Sequence, residues 1–344
     1  MKESNNKIKQ NFFKKIFIKI CRKLGFEMID QSNFFLPTQN KFLNADLNIQ
    51  GSKSITLPLG ELKITRKISA LTVIFRSCTS VDMLTQNKKR LFEKEKHEYT
   101  FRSLNSITSS LNAAQIKFPQ LEFNIVVIDH NSKKEHLIQI QKQLNNSGLK
   151  SSLISLNINE FKNDIKKINQ KNLEVTDNQM SNMSNIHKSL LVAKELSKDL
   201  IYFVEDDYLH ENKAFCEMIY TYERISSQIN SELILCPADY PYLYNKLDTT
   251  NIFLGATNHW RIVEETLCTF LTSKKIVEKY WDKLISMCQF EHYPFEKPLH
   301  DIYKSEYCLS PIPTLALHCT NINSTFGLSP NVDWKKIWEK NKDY

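Results

Sequence analysis

Glycine is nearly missing from this chain. Its 344 residues hold 6 glycines, where ordinary usage of about 7% would give roughly two dozen. They stand at 25, 51, 60, 148, 255 and 327, and no two are closer than nine positions. Neither a G-x-G-x-x-G nor a G-x-x-x-x-G-K-[ST] loop can be written anywhere, and G-x-S-x-G is excluded as well. If the chain handles a nucleotide, glycine-rich phosphate loops are not the means. Paired cysteines are also missing. The eight cysteines, at 21, 78, 216, 236, 268, 288, 308 and 319, form no C-x-x-C, which argues against structural zinc and for free thiols in a reducing cytoplasm. No apolar run approaches the ~18–20 residues needed to span a bilayer.

Charge is scarce outside one end. The formal net charge is +8, and residues 1–25 hold eight Lys/Arg against the single acid Glu3. The other 319 positions therefore carry a net +1. A broad phosphate-tracking surface is excluded on that balance, and nucleic acid is not an expected partner. In residues 1–25, Ile8, Phe12, Phe13, Ile16, Phe17, Ile20 and Leu24 share one side at helical spacing, with Lys7, Lys14, Lys15 and Arg22 opposite. Such a basic amphipathic helix is able to lie peripherally on an anionic membrane. Docking on its own domain, or a basic tail, fits the same pattern. The lysines interrupt the apolar stretch too often for a secretory core.

The length suits one large domain or two modest ones. No internal repeat or low-complexity linker divides it, and no boundary is visible after residue 50. Residues 51–66 alternate around Pro58 and Gly60 as a hairpin does. Strands are expected at 71–78, 123–132, 151–158 and 200–209, separated by helices at 97–116, 133–147 and 181–196 and a loop with one helical turn at 159–180. Further on come a helix at 210–229, a strand at 233–239 and a tyrosine-rich loop at 240–248. A strand or hairpin at 259–273, a helix at 274–289 and a strand at 311–320 follow. Strands alternating with helices predict an α/β fold, a mixed, mainly parallel sheet flanked by helices. Ligands collect at the carboxyl ends of such strands, and Arg76, Asp129 and Glu205-Asp206-Asp207 all fall at predicted strand ends.

Three acids in succession after the apolar run LIYFV are costly unless solvated, paired or bound to a cation. Carboxylate oxygens suit Mg²⁺ or Mn²⁺, and such an ion bridges a nucleotide's diphosphate and neutralises the charge building on it. An acidic helix N-terminus is the structural alternative.

In order and spacing, residues 71–209 resemble the nucleotide-binding half of the GT-A (Rossmann-like) glycosyltransferases, particularly the family-2-like group. The pieces are LTVIFRSC, VVIDHNS, the Asn-bearing SNMSNIHKSLLVAKEL, and VEDDYL in place of a D-x-D motif. The resemblance implies a nucleotide-sugar-binding half at 51–209 and an acceptor-binding half of the same domain at 210–344, behind the basic segment 1–50. It implies that Asp129 contacts the base, that Arg76 lies at the nucleotide site, and that Glu205 and Asp206 face ribose or metal. Asp207 would ligate the metal, Mn²⁺ or Mg²⁺, with the late His318 completing its shell.

An inverting transfer needs a carboxylate to deprotonate the acceptor hydroxyl. Asp301 is the first choice, with Glu296 and Glu265 as alternatives. Aromatics gather in the same half at Tyr240, Tyr242, Tyr244, Trp260, Tyr293 and Phe295. Tyr242 and Tyr244 suit an acceptor cleft, whereas Trp260 and Phe270 read equally well as core. The expectation is a metal-dependent glycosyltransferase of polysaccharide biosynthesis. It would act on a UDP-sugar donor and a glycan or lipid-linked acceptor, in the cytoplasm or at the inner face of a membrane. The rival readings are a nucleotidyltransferase of related fold and a non-catalytic nucleotide-sugar or carbohydrate-binding module.

Overall fold

The computed structural model of the chain describes residues 12–26, 54–57, 60–80, 91–245, 249–320 and 324–344. Helix α1 (Phe12–Lys23) is followed by the expected hairpin, β1 (Ser54–Leu57) with β2 (Gly60–Lys63), paired antiparallel. The αβ succession then runs β3 (Ala70–Ser77), α2 (Lys96–Lys117), β4 (Glu122–Asp129), α3 (Lys134–Ser147), β5 (Lys150–Ser155), α4 (Asp177–Leu196) and β6 (Leu200–Glu205). Every residue of β3 is buried. Parallel strands covered on both faces read as unbroken apolar runs, which is why these strands were visible in the sequence.

The second half continues as β7 (Tyr208–His210), α5 (Ala214–Ile229), β8 (Ile234–Leu235), β9 (Ile252–Leu254), β10 (His259–Ile262) and β11 (Phe270–Ser273). After these come α6 (Lys274–Lys279), α7 (Trp281–Gln289), α8 (Lys297–Tyr303), β12 (Cys308–Ile312), β13 (Ala316–His318) and α9 (Trp334–Lys340). Among the described residues, one nine-stranded sheet has the order β5-β4-β3-β6-β11-β8-β12-β10-β9 and crosses both halves of the chain. β5, β4, β3 and β6 are mutually parallel, β12 is parallel to β8, and β11 and β10 are antiparallel insertions. Helices α2, α3 and α5 pack together, as do α4, α6 and α7. The mixed, mainly parallel sheet flanked by helices is the architecture expected.

Several local expectations differ from the structure. The run 200–209 is not one strand: the chain turns at Asp206-Asp207, and β7 leaves the main sheet to pair with β13. The segment 259–273 is no hairpin, because β10 pairs with β12 and β9 while β11 pairs with β6 and β8. Helix α4 starts at Asp177, not 181. Thr176 accepts the Gln179 N–H and Gln179 Oε1 accepts the Thr176 N–H, a capping box. The T-x-x-Q signature at 176–179 marks this start in the sequence. The helix read at 274–289 is interrupted at Tyr280, and β9, α8 and α9 were not foreseen. All eight cysteines are free, five of them buried. No helix of the described residues is long and apolar enough to cross a membrane. Residues 1–11 of the basic segment, and 246–248 of the tyrosine-rich loop, lie outside the described residues.

Candidate active site

The order β5-β4-β3-β6 is the doubly wound 3-2-1-4 pattern, and its direction of winding reverses between β3 and β6. Ligands of open α/β sheets bind at the carboxyl ends beside that reversal. The register places Arg76 of β3 opposite Glu205 of β6, and Ser77 opposite Asp129 of β4. The structure thus brings Arg76, Asp129, Glu205, Asp206 and Asp207 to adjoining strand ends at that reversal. His318 joins them from the far end of the chain, because the β7–β13 pairing sets it opposite Tyr208.

The three acids have three different surroundings. Glu205 is half-buried, with Oε1 3.0 Å from an Arg76 guanidinium nitrogen, and Arg76 also donates to Asn182 of α4 at 3.0 Å. Asp206 is buried and points back into the fold. It pairs with Lys96 at the start of α2 and accepts from Thr100 Oγ1 at 2.8 Å and the Cys78 amide at 3.2 Å. Asp207 turns the other way, its Oδ2 3.6 Å from His318 Nε2.

His318 is held by two contacts besides Asp207. Its ring stacks on Tyr208, with centroids 4.5 Å apart and planes 6° from parallel. Its Nδ1 donates to the Phe326 carbonyl at 2.6 Å. A carbonyl only accepts, so Nδ1 carries the proton, and in the neutral ring Nε2 presents a lone pair towards a carboxylate. Two acceptors facing each other call for a positive charge between them. Burial disfavours the imidazolium, but Asp207, Glu205 and the Phe326 carbonyl together outweigh it and raise the His318 pKa above its ordinary value. A divalent cation would meet the same demand. A backbone carbonyl holding the second ring nitrogen is the usual support of a metal-bound histidine. Among the described residues no group of three or more His, Cys, Asp or Glu side chains is arranged to hold a metal. A two-residue Asp207–His318 set suits an ion that keeps phosphate and water oxygens in the rest of its shell.

Asp129 is 2% exposed. It accepts from Ser77 Oγ at 2.7 Å, Ser132 Oγ at 2.5 Å and the Ser132 amide at 3.1 Å, while Ser132 Oγ in turn accepts the Thr79 amide at 2.9 Å. In this structure it fastens the loops after β3 and β4 to each other. Asp301 is set apart from the crevice acids in its surroundings. It lies on α8 between Lys297 and Lys304, and the Lys304 hydrogen bond holds its carboxyl below the ordinary range. Glu296, at the start of α8, shares the electrostatic environment of Glu205, Arg76 and His318. Burial pushes its carboxyl up to about 7, with Glu205 adding to the rise.

Sequence reasoning missed Lys96, Thr100, Asn182 and Ser132. Lys96 and Thr100 are one helical turn apart at the start of α2, a spacing that puts both on one face, but nothing local ties that face to Asp206. Of the aromatics, Trp260 and Tyr240 are fully buried and Phe270 nearly so, while Tyr244 and Tyr293 are exposed.

No protein-family model and no curated protein matches the chain. Solved structures do align with it. The glycosyltransferase GlyE of Streptococcus pneumoniae TIGR4 is 12% identical with a TM-score of 0.40, over 81% of this chain and 61% of GlyE. The chain thus spans about three fifths of GlyE. The galactosyltransferase LgtC, solved with donor and acceptor sugar analogues, is 10% identical with a TM-score of 0.34, over 79% and 95%. A nucleoside-diphosphate-sugar pyrophosphorylase from Vibrio cholerae RC9 is 11% identical with a TM-score of 0.35, over 72% and 95%. The fold is a doubly wound, Rossmann-like α/β fold by its strand order β5-β4-β3-β6. The likenesses are distant, so the sheet order and switch-point crevice carry that assignment, and activity rests on the site's own residues.

Proposed function

We propose that the chain is a metal-dependent glycosyltransferase. It moves a sugar from a nucleoside-diphosphate donor, a UDP-sugar first, to a glycan or lipid-linked acceptor. The observation that carries this reading is the Asp207–His318 pair, 3.6 Å apart at the switch point, with His318 Nδ1 committed to a carbonyl. These two residues would hold Mn²⁺ or Mg²⁺, which when bound neutralises the charge developing on the departing diphosphate. Arg76 and Glu205 form the neighbouring wall, and Asp129 holds the loops that frame the nucleotide.

The transfer needs a base. The acceptor oxygen attacks the anomeric carbon, the bond to the diphosphate oxygen breaks, and the hydroxyl proton passes to a carboxylate. Glu296 suits that task better than Asp301, since a carboxyl near 7 is a stronger base than one held low by two lysines. The chain works in polysaccharide biosynthesis at the cytoplasmic face of a membrane. Support for peripheral contact comes from α1, whose Ile16, Phe17 and Ile20 are 40–55% exposed beside its basic residues.

The test is Mn²⁺-dependent hydrolysis of a panel of nucleotide-sugars, with Asp207→Ala and His318→Ala alongside the parent. Turnover that survives Asp207→Ala overturns the metal assignment. Pyrophosphate release from a nucleoside triphosphate and a sugar phosphate, without sugar transfer, would make the chain a nucleotidyltransferase instead. Donor binding with no turnover would make it a binding module.

A further inference from the structure

Between β5 and α4 the chain makes a tight reversal at 166–175. Asn169 organises it. Its buried side chain accepts the Lys171 and Leu173 amides at 2.9 and 3.0 Å through Oδ1, and donates to Glu291 at 2.7 Å through Nδ2. The Asn169 amide donates to the Leu173 carbonyl at 3.0 Å, and the Val175 amide to the Lys167 carbonyl at 2.9 Å. Two more bonds fasten the reversal to the connection between α7 and α8. The Lys166 amide donates to the Gln289 carbonyl at 2.8 Å, and the Tyr293 amide to Gln170 Oε1 at 3.2 Å. The backbone is held at both ends.

What this fixed turn holds out selects a partner. Ile168, Leu173 and Tyr293 are 53%, 59% and 58% exposed. Lys166, Lys167 and Lys171, also exposed, stand among them. Lys171 Nζ lies 3.5 Å from the centre of the Tyr293 ring, and Lys166 Nζ 5.3 Å from that of Phe290. A ring face attracts a cation without cancelling its charge. No acid falls within 166–173, and the nearest in sequence are Asp164 and Glu174 on either side. Apolar side chains interleaved with lysines and a tyrosine match an anionic bilayer: the apolar groups and the ring enter the headgroup layer while the ammonium groups stay at the phosphates. Other occupants fit less well. Nucleic acid would engage the lysines and leave Ile168 and Leu173 in water. A second copy about a two-fold axis would set three lysines against three. A specific protein partner engages about 20–30 residues a side, and the turn is far smaller.

We propose that the turn 166–173, with Tyr293, is a second contact with an anionic lipid bilayer besides α1. Two weak contacts together hold a chain that either alone would hold only marginally. Tyr293 is three residues from Glu296, at most about 11 Å along the chain. The contact therefore brings the proposed base towards the lipid surface, where a lipid-linked acceptor presents its glycan. That consequence rests on the glycosyltransferase reading above, whereas the contact itself does not.

The full chain is sedimented with sucrose-loaded vesicles of equal parts phosphatidylcholine and phosphatidylglycerol, and nucleotide-sugar hydrolysis is measured in solution on the same preparation. Lys167→Gln with Lys171→Gln should weaken partition by about twentyfold, at about fivefold for each lysine near an anionic surface. Ile168→Ser with Leu173→Ser should weaken it by about tenfold, since only part of each side chain enters the lipid. The altered side chains are exposed, so both variants should melt and hydrolyse donor as the parent does. Failure of the parent to partition, equal partition onto vesicles of phosphatidylcholine alone, or partition indifferent to both variants overturns the inference. Self-association of the parent that the variants lose, with partition unchanged, would make the turn an interface between copies and overturn it too. Partition weakened in both variants, with no donor hydrolysed by any form, upholds the contact and overturns the transferase reading instead.

Discussion

Asp206→Asn should destabilise the fold while sparing the chemistry, the opposite of Asp207→Asn. Asp206 and Lys96 have side chains only 9% and 13% exposed, and the same carboxylate accepts from Thr100 and the Cys78 amide. Asparagine keeps the shape and one acceptor oxygen, so a Thr100 or Cys78 bond survives. What it removes is the countercharge of a buried ammonium. Breaking a buried pair from one side costs about 3–5 kcal/mol, and the retained oxygen puts this case near the lower end, at about 3 kcal/mol. A chain of this size shifts its midpoint by about 2 °C per kcal/mol, so thermal melting should fall by about 6 °C. Adding Lys96→Met removes the stranded charge, and the double variant should return to within about 1 kcal/mol of the parent, the coupling expected of partners in direct contact. Melts of the four proteins of this cycle, each with nucleotide-sugar hydrolysis scaled to folded protein, decide the matter. An Asp206→Asn protein that melts with the parent yet loses hydrolysis would refute the reasoning, because Asp206 would then face the donor and not the fold.

Four further outcomes follow from the same structure. Glu296 has its carboxyl raised from an ordinary 4.5 to about 7, and a base works deprotonated, so sugar transfer should rise with pH through about 7 and lose that limb in Glu296→Gln. Because the folded state holds this proton more tightly than the unfolded state, the same group should lower stability as pH climbs from about 4.5 to about 7, which urea titrations across that window would read. A methyl group on Gly255 would sit 2.4 Å from Glu217 Oε1 and Trp260 Nε1, and Glu217 is fixed by the amides of Ala256, Thr257 and Asn258. Gly255→Ala should therefore cost about 3 kcal/mol by denaturant unfolding, as overpacking does; an unchanged midpoint would show that the 255–258 loop yields. In flotation with vesicles of anionic lipid, the full chain should float and Ile16→Glu with Phe17→Glu should not, whereas flotation on zwitterionic vesicles alone would remove the electrostatic part of the membrane proposal.

The parallel half of the sheet was legible because burial on both faces leaves apolar runs such as LTVIF and NIVVI, bounded by polar strand ends. The antiparallel insertions were not. β8 spans two residues, and the segment holding β10 and β11 looks local while its pairings are not, so no sequence window contains the partners. The site divides in the same way. That the acids belong at a strand end could be read from LIYFVEDDYL, but which acid does what depends on a reversal of one residue. Ending β6 at Glu205 and turning before β7 sends Asp206 inward to Lys96 and Asp207 outward to His318. Adjacent strand residues alternate faces, and a turn between two sheets breaks that alternation without any mark in composition. His318 was found by its place at the end of an apolar run, yet its orientation depends on Phe326, eight residues on, and on Tyr208 across a two-stranded pairing. On the proposed function, glycine scarcity acquires a meaning here. A phosphate loop built from backbone amides needs residues without side chains, whereas a crevice built from Asp207, His318, Arg76 and Glu205 needs only strands that end at the right depth. The buried apolar residues of β3, β4, β6 and their helices set that depth, so these side chains are positioned by the core and not by a loop.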